Sequence, residues 1–174
     1  LRGRIESVIG YAIAHEWRDK GNPAQWRGLL DKVLPEPSKV KKTEHHKSMP
    51  AAETPAFMST LDRMEGGAAR ALQLLILTAT RSGEARGARW SEFDLEEKIW
   101  TIPAERMKAG VEHRVPLSDQ VLNILQRVPR LESVDMLFPD RSGRKPISDL
   151  ALSKILRKQE LGYVPHGFRS TFRD

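Results

Sequence analysis

The sequence predicts a mainly α-helical protein with one small antiparallel β-sheet, an α+β arrangement. Three observations carry this reading. The segment ALQLLILTA is apolar nearly all round, as a helix at the centre of a core must be. Amphipathic stretches, with apolar residues three and four apart, lie on both sides of it. Between them, WSEFDL, KIWTIP and EHRVPLS are short, rich in β-branched and aromatic residues, and separated by turn-forming stretches.

The elements come in this order. In residues 1–20, Ile5, Val8, Ile9, Ala12 and Ile13 recur at helical spacing. GNPAQWRGLLDKVL restarts a helix, with Asn22 as cap, Pro23 in the first turn, and Trp26, Leu29, Leu30 and Val33 as the apolar stripe. PEPSKVKKTEHHKSMP reads as a basic, Pro-flanked linker. His45 and His46 within it are adjacent, and consecutive residues rarely face one metal. Such a strap is solvated, or it lies along a phosphate backbone. TPAFMSTLDRMEG is a capped helix with Thr54 and Pro55 at its start, and AARALQLLILTAT is the buried one. SGEARGARW is a short helix whose early Glu84 suits the positive end of the macrodipole. The three strands come next, and then SDQVLNILQRV and SDLALSKILRKQ, capped by Ser118 and Ser148. LFPDRSGRKP between these two helices is a basic, turn-rich loop.

Composition removes several classes of function. A chain of 174 residues buries a real core and has room for one domain plus part of another. Cysteine is absent, which excludes disulfides and thiol nucleophiles and fits a reducing compartment. With five histidines and no cysteine there is little to build a zinc site. No apolar run reaches the length of a membrane span, and LRGRIESVIG has no signal-peptide core. The net charge of +6 suits a polyanionic partner such as nucleic acid. The chain opens on Leu1 and closes inside an amphipathic pattern, so it reads as an internal piece of something longer.

A few positions can carry chemistry. Arg81, between the buried helix and the next short one, either satisfies the last helix carbonyls or aims a charged fork into a cleft. Lys108, in the turn RMKAG, is either solvated or placed to donate a proton to a leaving oxygen. His166 and Arg169 are three apart, so a helix stacks them on one face, with Arg173 extending the row. Phe168 and Phe172 form a separate apolar face that anchors this helix. Taken together, two arginines, a histidine and a lysine supply what a phosphodiester transition state needs. They lack a nucleophile.

TATRSGEARGARWSEFDL resembles the first arginine motif of the tyrosine recombinase, or phage integrase, family. ERMKAGVEHRVPLS resembles its lysine-bearing hairpin, and HGFRSTFRD its HxxR helix. The resemblance implies the DNA breaking-rejoining catalytic fold, with residues 53–174 as the N-terminal part of that domain. It makes residues 1–35 the last helices of a core-binding domain and residues 36–52 a basic linker. It implies that Arg81 and Arg169 clamp the scissile phosphate, that Lys108 is general acid toward the 5′ oxygen, and that His166 assists. Glu84 supports the arginine. The family attacks DNA with a tyrosine, forming a 3′-phosphotyrosine bond, and uses neither metal nor nucleotide cofactor.

Site-specific recombination and integration of a prophage or genomic island is the implied activity, with double-stranded DNA at attachment sites as partner. The implied setting is the bacterial cytoplasm at the nucleoid, with no membrane. A tetramer is expected on DNA and a monomer for this piece in solution. The sequence departs from the family in one respect: the nucleophilic tyrosine that comes after HxxR is missing. Tyr11 and Tyr163 both precede the motif. The chain is therefore expected to bind DNA without cleaving it, as an incomplete enzyme or as a non-catalytic remnant.

Overall fold

The computed structural model describes residues 1–36 and 47–173, Arg173 by its backbone alone. His45 and His46 of the basic strap and the side chain of Arg173 lie outside the described residues. The chain divides into two compact units, Leu1–His45 and His46–Asp174.

In the first unit, α1 spans Arg2–Ala14. Glu6 ties this helix to the segment around residues 22–26. Its carboxylate pairs with Arg2 and accepts the Trp26 N–H at 2.9 Å, and its carbonyl accepts Asn22 Nδ2 at 2.8 Å. The guanidinium of Arg2 lies 5.1 Å from the Trp26 ring centre. The helix expected over residues 21–34 does not form there. Asn22 does cap locally, accepting the Ala24 N–H at 3.0 Å, but beyond it there is only a 3-10 turn, Leu30–Lys32. Gly28 at φ 81° breaks the helical path. The expected stripe accordingly disperses, with Leu29 and Val33 exposed.

In the second unit, α2 spans Thr54–Asp62 and α3 spans Gly67–Thr78. Thr54 is the first helical residue and not a cap; its hydroxyl bonds back to the Pro50 carbonyl. Seven residues of α3 are buried, Leu72, Leu74 and Leu75 completely, so it is the central helix the sequence predicts. Around it pack α2, α4 (Ser82–Arg86), α5 (Asp119–Arg127), α6 (Asp149–Lys158) and α7 (Phe168–Arg173). Ser118 and Ser148 accept N–H bonds at the starts of α5 and α6, as expected from their positions.

The sheet runs antiparallel in the order β1 (Phe93–Asp94), β2 (Ile99–Ile102), β3 (His113–Pro116). Strand alternation sends Trp100 and Ile102 inward, where they are fully buried. Trp100 stands opposite both Phe93 and Val115, and its ring stacks on Phe93 at 5.1 Å. The fold is thus mainly α with a small antiparallel sheet. Among the described residues no helix is long and apolar enough to cross a membrane.

Candidate active site

The site begins where α3 ends. Ala79 takes a left-handed conformation at φ 51°, which turns the chain sharply, and Thr80 is buried behind the turn. Arg81 then caps α4 in an extended conformation. Glu84, at the third position of α4, is only 4% exposed, and its carboxylate reaches back to the cap residue. It accepts the Arg81 backbone N–H at 2.8 Å and Arg81 Nη1 at 2.6 Å. The first bond replaces a helical partner that the backbone lacks; the second fixes the guanidinium. Glu84 thereby contacts both the backbone and the guanidinium of Arg81, while 39% of the Arg81 side chain stays exposed.

Arg169 arrives at the same junction from the far end of the chain. Its Nη1 donates to the Ala79 carbonyl at 2.6 Å, two residues before Arg81. The capping of a helix-end carbonyl, one reading of Arg81, is done by Arg169. Three contacts hold α7 for this purpose. Phe168 is buried and stacks on Phe57 at 5.8 Å. Thr171 donates its hydroxyl to the Met49 carbonyl at 2.7 Å. Gly167 passes so close to Lys47 that a Cβ would lie 2.3 Å from the Lys47 oxygen.

His166 sits in a 3-10 turn, Pro165–Gly167, immediately before α7, and is exposed. The single helical face expected for His166 and Arg169 is therefore a turn joined to a helix. The paired phenylalanine face also needs correcting. Phe168 alone is buried, whereas Phe172 is 64% exposed and lines an open groove with Met58, Ile76 and Leu77.

Lys108 is exposed in a tight turn closed by a bond from the Gly110 N–H to the Met107 carbonyl at 3.0 Å, with Gly110 at φ 65°. Its neighbour Arg106 joins this hairpin to α4. Arg106 Nη2 donates to the Glu84 carbonyl at 2.5 Å, and Nη1 pairs with both oxygens of Glu92. Neither Arg106 nor Glu92 stands out by motif. By sequence Glu92 is one of several acids in WSEFDLEEK, and only its approach to the Trp100 indole reveals its burial. Tyr163 packs partly against the core and its hydroxyl reaches Glu53 at 3.5 Å. No group of three or more His, Asp or Glu side chains among the described residues is placed to hold a metal ion.

The pattern of the phage integrase family matches residues 47–173. Prophage integrase IntZ of Escherichia coli strain K12 is 36% identical over 178 residues, covering 99% of this chain and 42% of that protein. The integrase of Enterobacteria phage P4 is 30% identical over 195 residues, with the same two coverages. The chain thus spans less than half the length of these curated relatives. Among solved structures, a lambda integrase dimer bound to a COC′ core site superposes with a TM-score of 0.67 at 14% identity. The Tn1549 transposon integrase in complex with circular intermediate DNA gives 0.62 at 20% identity. Each covers 98% of this chain and 62% of the solved one, which establishes the shared fold. Built on that fold, and matched along most of its length by the family's own sequence pattern, the chain belongs to the phage integrase family of tyrosine recombinases.

Proposed function

We propose that this chain carries the phosphate-holding part of a site-specific DNA recombinase, whose complete reaction cleaves and rejoins duplex DNA through a 3′-phosphotyrosine intermediate. The observation that carries the reading is the Arg169 bond to Ala79, which brings the second arginine to the junction that holds Arg81. One guanidinium then lies on the Ala79 carbonyl, and the other belongs to a residue two positions further along the same junction, held there by Glu84. Such a pair can bind non-bridging phosphoryl oxygens and stabilise the charge that develops as the phosphorus becomes pentacoordinate. On this reading Lys108 protonates the departing 5′ oxygen, His166 assists proton transfer and phosphate binding, and Glu84 holds Arg81 in place.

Double-stranded DNA at attachment sites is the partner; the solved lambda and Tn1549 integrases, bound to DNA, support this choice. The assembly on DNA is a tetramer, and the isolated chain is a monomer. Residues 1–35 serve as the end of a core-binding domain, residues 36–52 as a basic linker and residues 53–174 as the N-terminal part of a catalytic domain. The attacking tyrosine is not among these 174 residues, since both tyrosines precede the HxxR motif and Tyr163 is turned to Glu53.

Binding to mixed-sequence duplex DNA across a salt series tests the reading. Arg81→Ala and Arg169→Ala should each weaken binding and flatten the slope of log affinity against log salt by about one. Unchanged affinity and slope in both variants would overturn the phosphate clamp. A covalent protein–DNA adduct formed by this chain on a nicked substrate would overturn the missing nucleophile.

A further inference from the structure

We infer that Arg106, held by Glu92, is a positioning residue that sets Lys108 against the phosphate held by Arg81, an inference that rests on the roles proposed for Arg81 and Lys108. Lys108 itself is exposed at the tip of a turn, and a lysine side chain there has many rotamers. A general acid must be held within hydrogen-bond reach of one oxygen. Something must therefore fix the turn.

The residues just before Lys108 do this. After Pro103 the chain tightens into a 3-10 turn, Ala104–Arg106, and Met107 packs partly buried against the core. Arg106 extends from that turn into a closed site, with its side chain 19% exposed and that of Glu92 6% exposed. The guanidinium grips both Glu92 oxygens with one end and the Glu84 carbonyl with the other. Glu92 is itself fixed by the Trp100 indole N–H at 2.9 Å and by the Arg89 backbone N–H at 3.3 Å. Glu84 in turn holds Arg81. An unbroken chain of contacts thus runs from the Lys108 turn, through Arg106 and Glu84, to Arg81.

Gly87 supports the assignment. Its φ of −89° suits any residue, so backbone freedom does not explain a glycine there. A Cβ at this position would stand 3.0 Å from Arg106 Nη2 and 3.1 Å from the Gly83 carbonyl oxygen, so a side chain there would crowd both the guanidinium and the preceding helical turn. A lysine at 106 would supply charge, but it cannot grip two partners with a planar fork.

The test compares acetylation of Lys108 by acetic anhydride in the full chain, free and bound to mixed-sequence duplex DNA. Site-resolved mass spectrometry measures it, with Lys98, in the turn between β1 and β2, as reference. In the wild type, DNA should slow Lys108 acetylation about tenfold relative to Lys98. Arg106→Ala should cut this protection to about twofold or less, and Arg106→Lys should fail to restore it. Glu92→Gln, which keeps the volume and an acceptor for Trp100, should give protection between those of the wild type and Arg106→Ala, and it covers the case in which the alanine variant does not fold. Global loosening would change the reactivity of both lysines together, so only a selective change at Lys108 supports positioning.

Wild-type protection retained in Arg106→Ala or Glu92→Gln, with DNA still bound, overturns the inference. So does full recovery in Arg106→Lys, because charge alone would then suffice. If the wild type itself neither binds DNA nor shields Lys108, the phosphate-site reading fails and not the role of Arg106.

Discussion

Gly167 is a residue chosen for space. The Cβ of an alanine would stand 2.3 Å from the Lys47 carbonyl oxygen, a backbone atom that cannot rotate away. Gly167→Ala should therefore push α7 off the segment around Lys47 and cost about 2–3 kcal/mol in urea unfolding. On the phosphate-holding role proposed for Arg169, which rides on that helix, it should also weaken DNA binding. Asp62 offers a second residue-scale prediction, set by pH. A hydrogen bond from the buried Gln73, and after it one from Arg127, holds its carboxyl below the ordinary aspartate range, with burial opposing them. A depressed folded-state value means the stabilisation is present above the unfolded value and is lost as pH falls through the folded one. Asp62→Asn should thus destabilise the protein near neutral pH by about 1 kcal/mol at most, since the group is half exposed and screened. The gap between variant and wild type should close as the pH drops below about 4. Urea midpoints across that range measure it; a constant gap would show that the ion pairs of Asp62 do not carry the effect.

The turn between α3 and α4 is where element geometry creates the site. Ala79 ends α3 in the left-handed region, where a Cβ is disfavoured. Ala79→Gly should relieve this and stabilise the protein by about 1 kcal/mol in thermal melts, without disturbing the carbonyl that Arg169 grips. A destabilised variant would mean that the methyl group packs usefully and outweighs the backbone strain. The same turn explains what is legible in the sequence. The apolar run of α3, the serine caps of α5 and α6, and the alternating inward residues of β2 all act locally, so periodicity and capping rules reveal them. Arg81, Glu84 and Arg169 are marked as candidates by motifs, whereas their contacts at one junction come only from the fold. The second helix of the first unit is misread because Gly28 could as well be a tolerated interruption; its positive φ is visible only in the folded chain. Phe172 is misplaced because spacing gives the face of a helix but not how far the neighbouring helices extend. Arg106 and Glu92 escape notice because their partnership spans fourteen residues and depends on where the hairpin folds back.

At the scale of the whole chain, the two units differ in how they are held together. The His46–Asp174 unit encloses one continuous core built from its helices and the inward face of its sheet. In the Leu1–His45 unit, α1 has no buried residue, and Ala24 is the one buried apolar residue among those described. Val8, Tyr11 and Trp17 are all more than half exposed there. A single helix of 13 residues gains little from propensity alone, and the Arg2–Glu6 pair adds only a few tenths of a kcal/mol. A chain of residues 46–174 should therefore unfold cooperatively with a midpoint within about 3 °C of the full chain. It must keep Lys47 to Met49, because Gly167 and Thr171 close on that segment. A peptide of residues 1–45 should show weak helicity by circular dichroism and a broad, non-cooperative melt. If instead the shorter chain melts much earlier, or the peptide melts sharply, the first unit contributes stability that its exposed apolar residues do not account for.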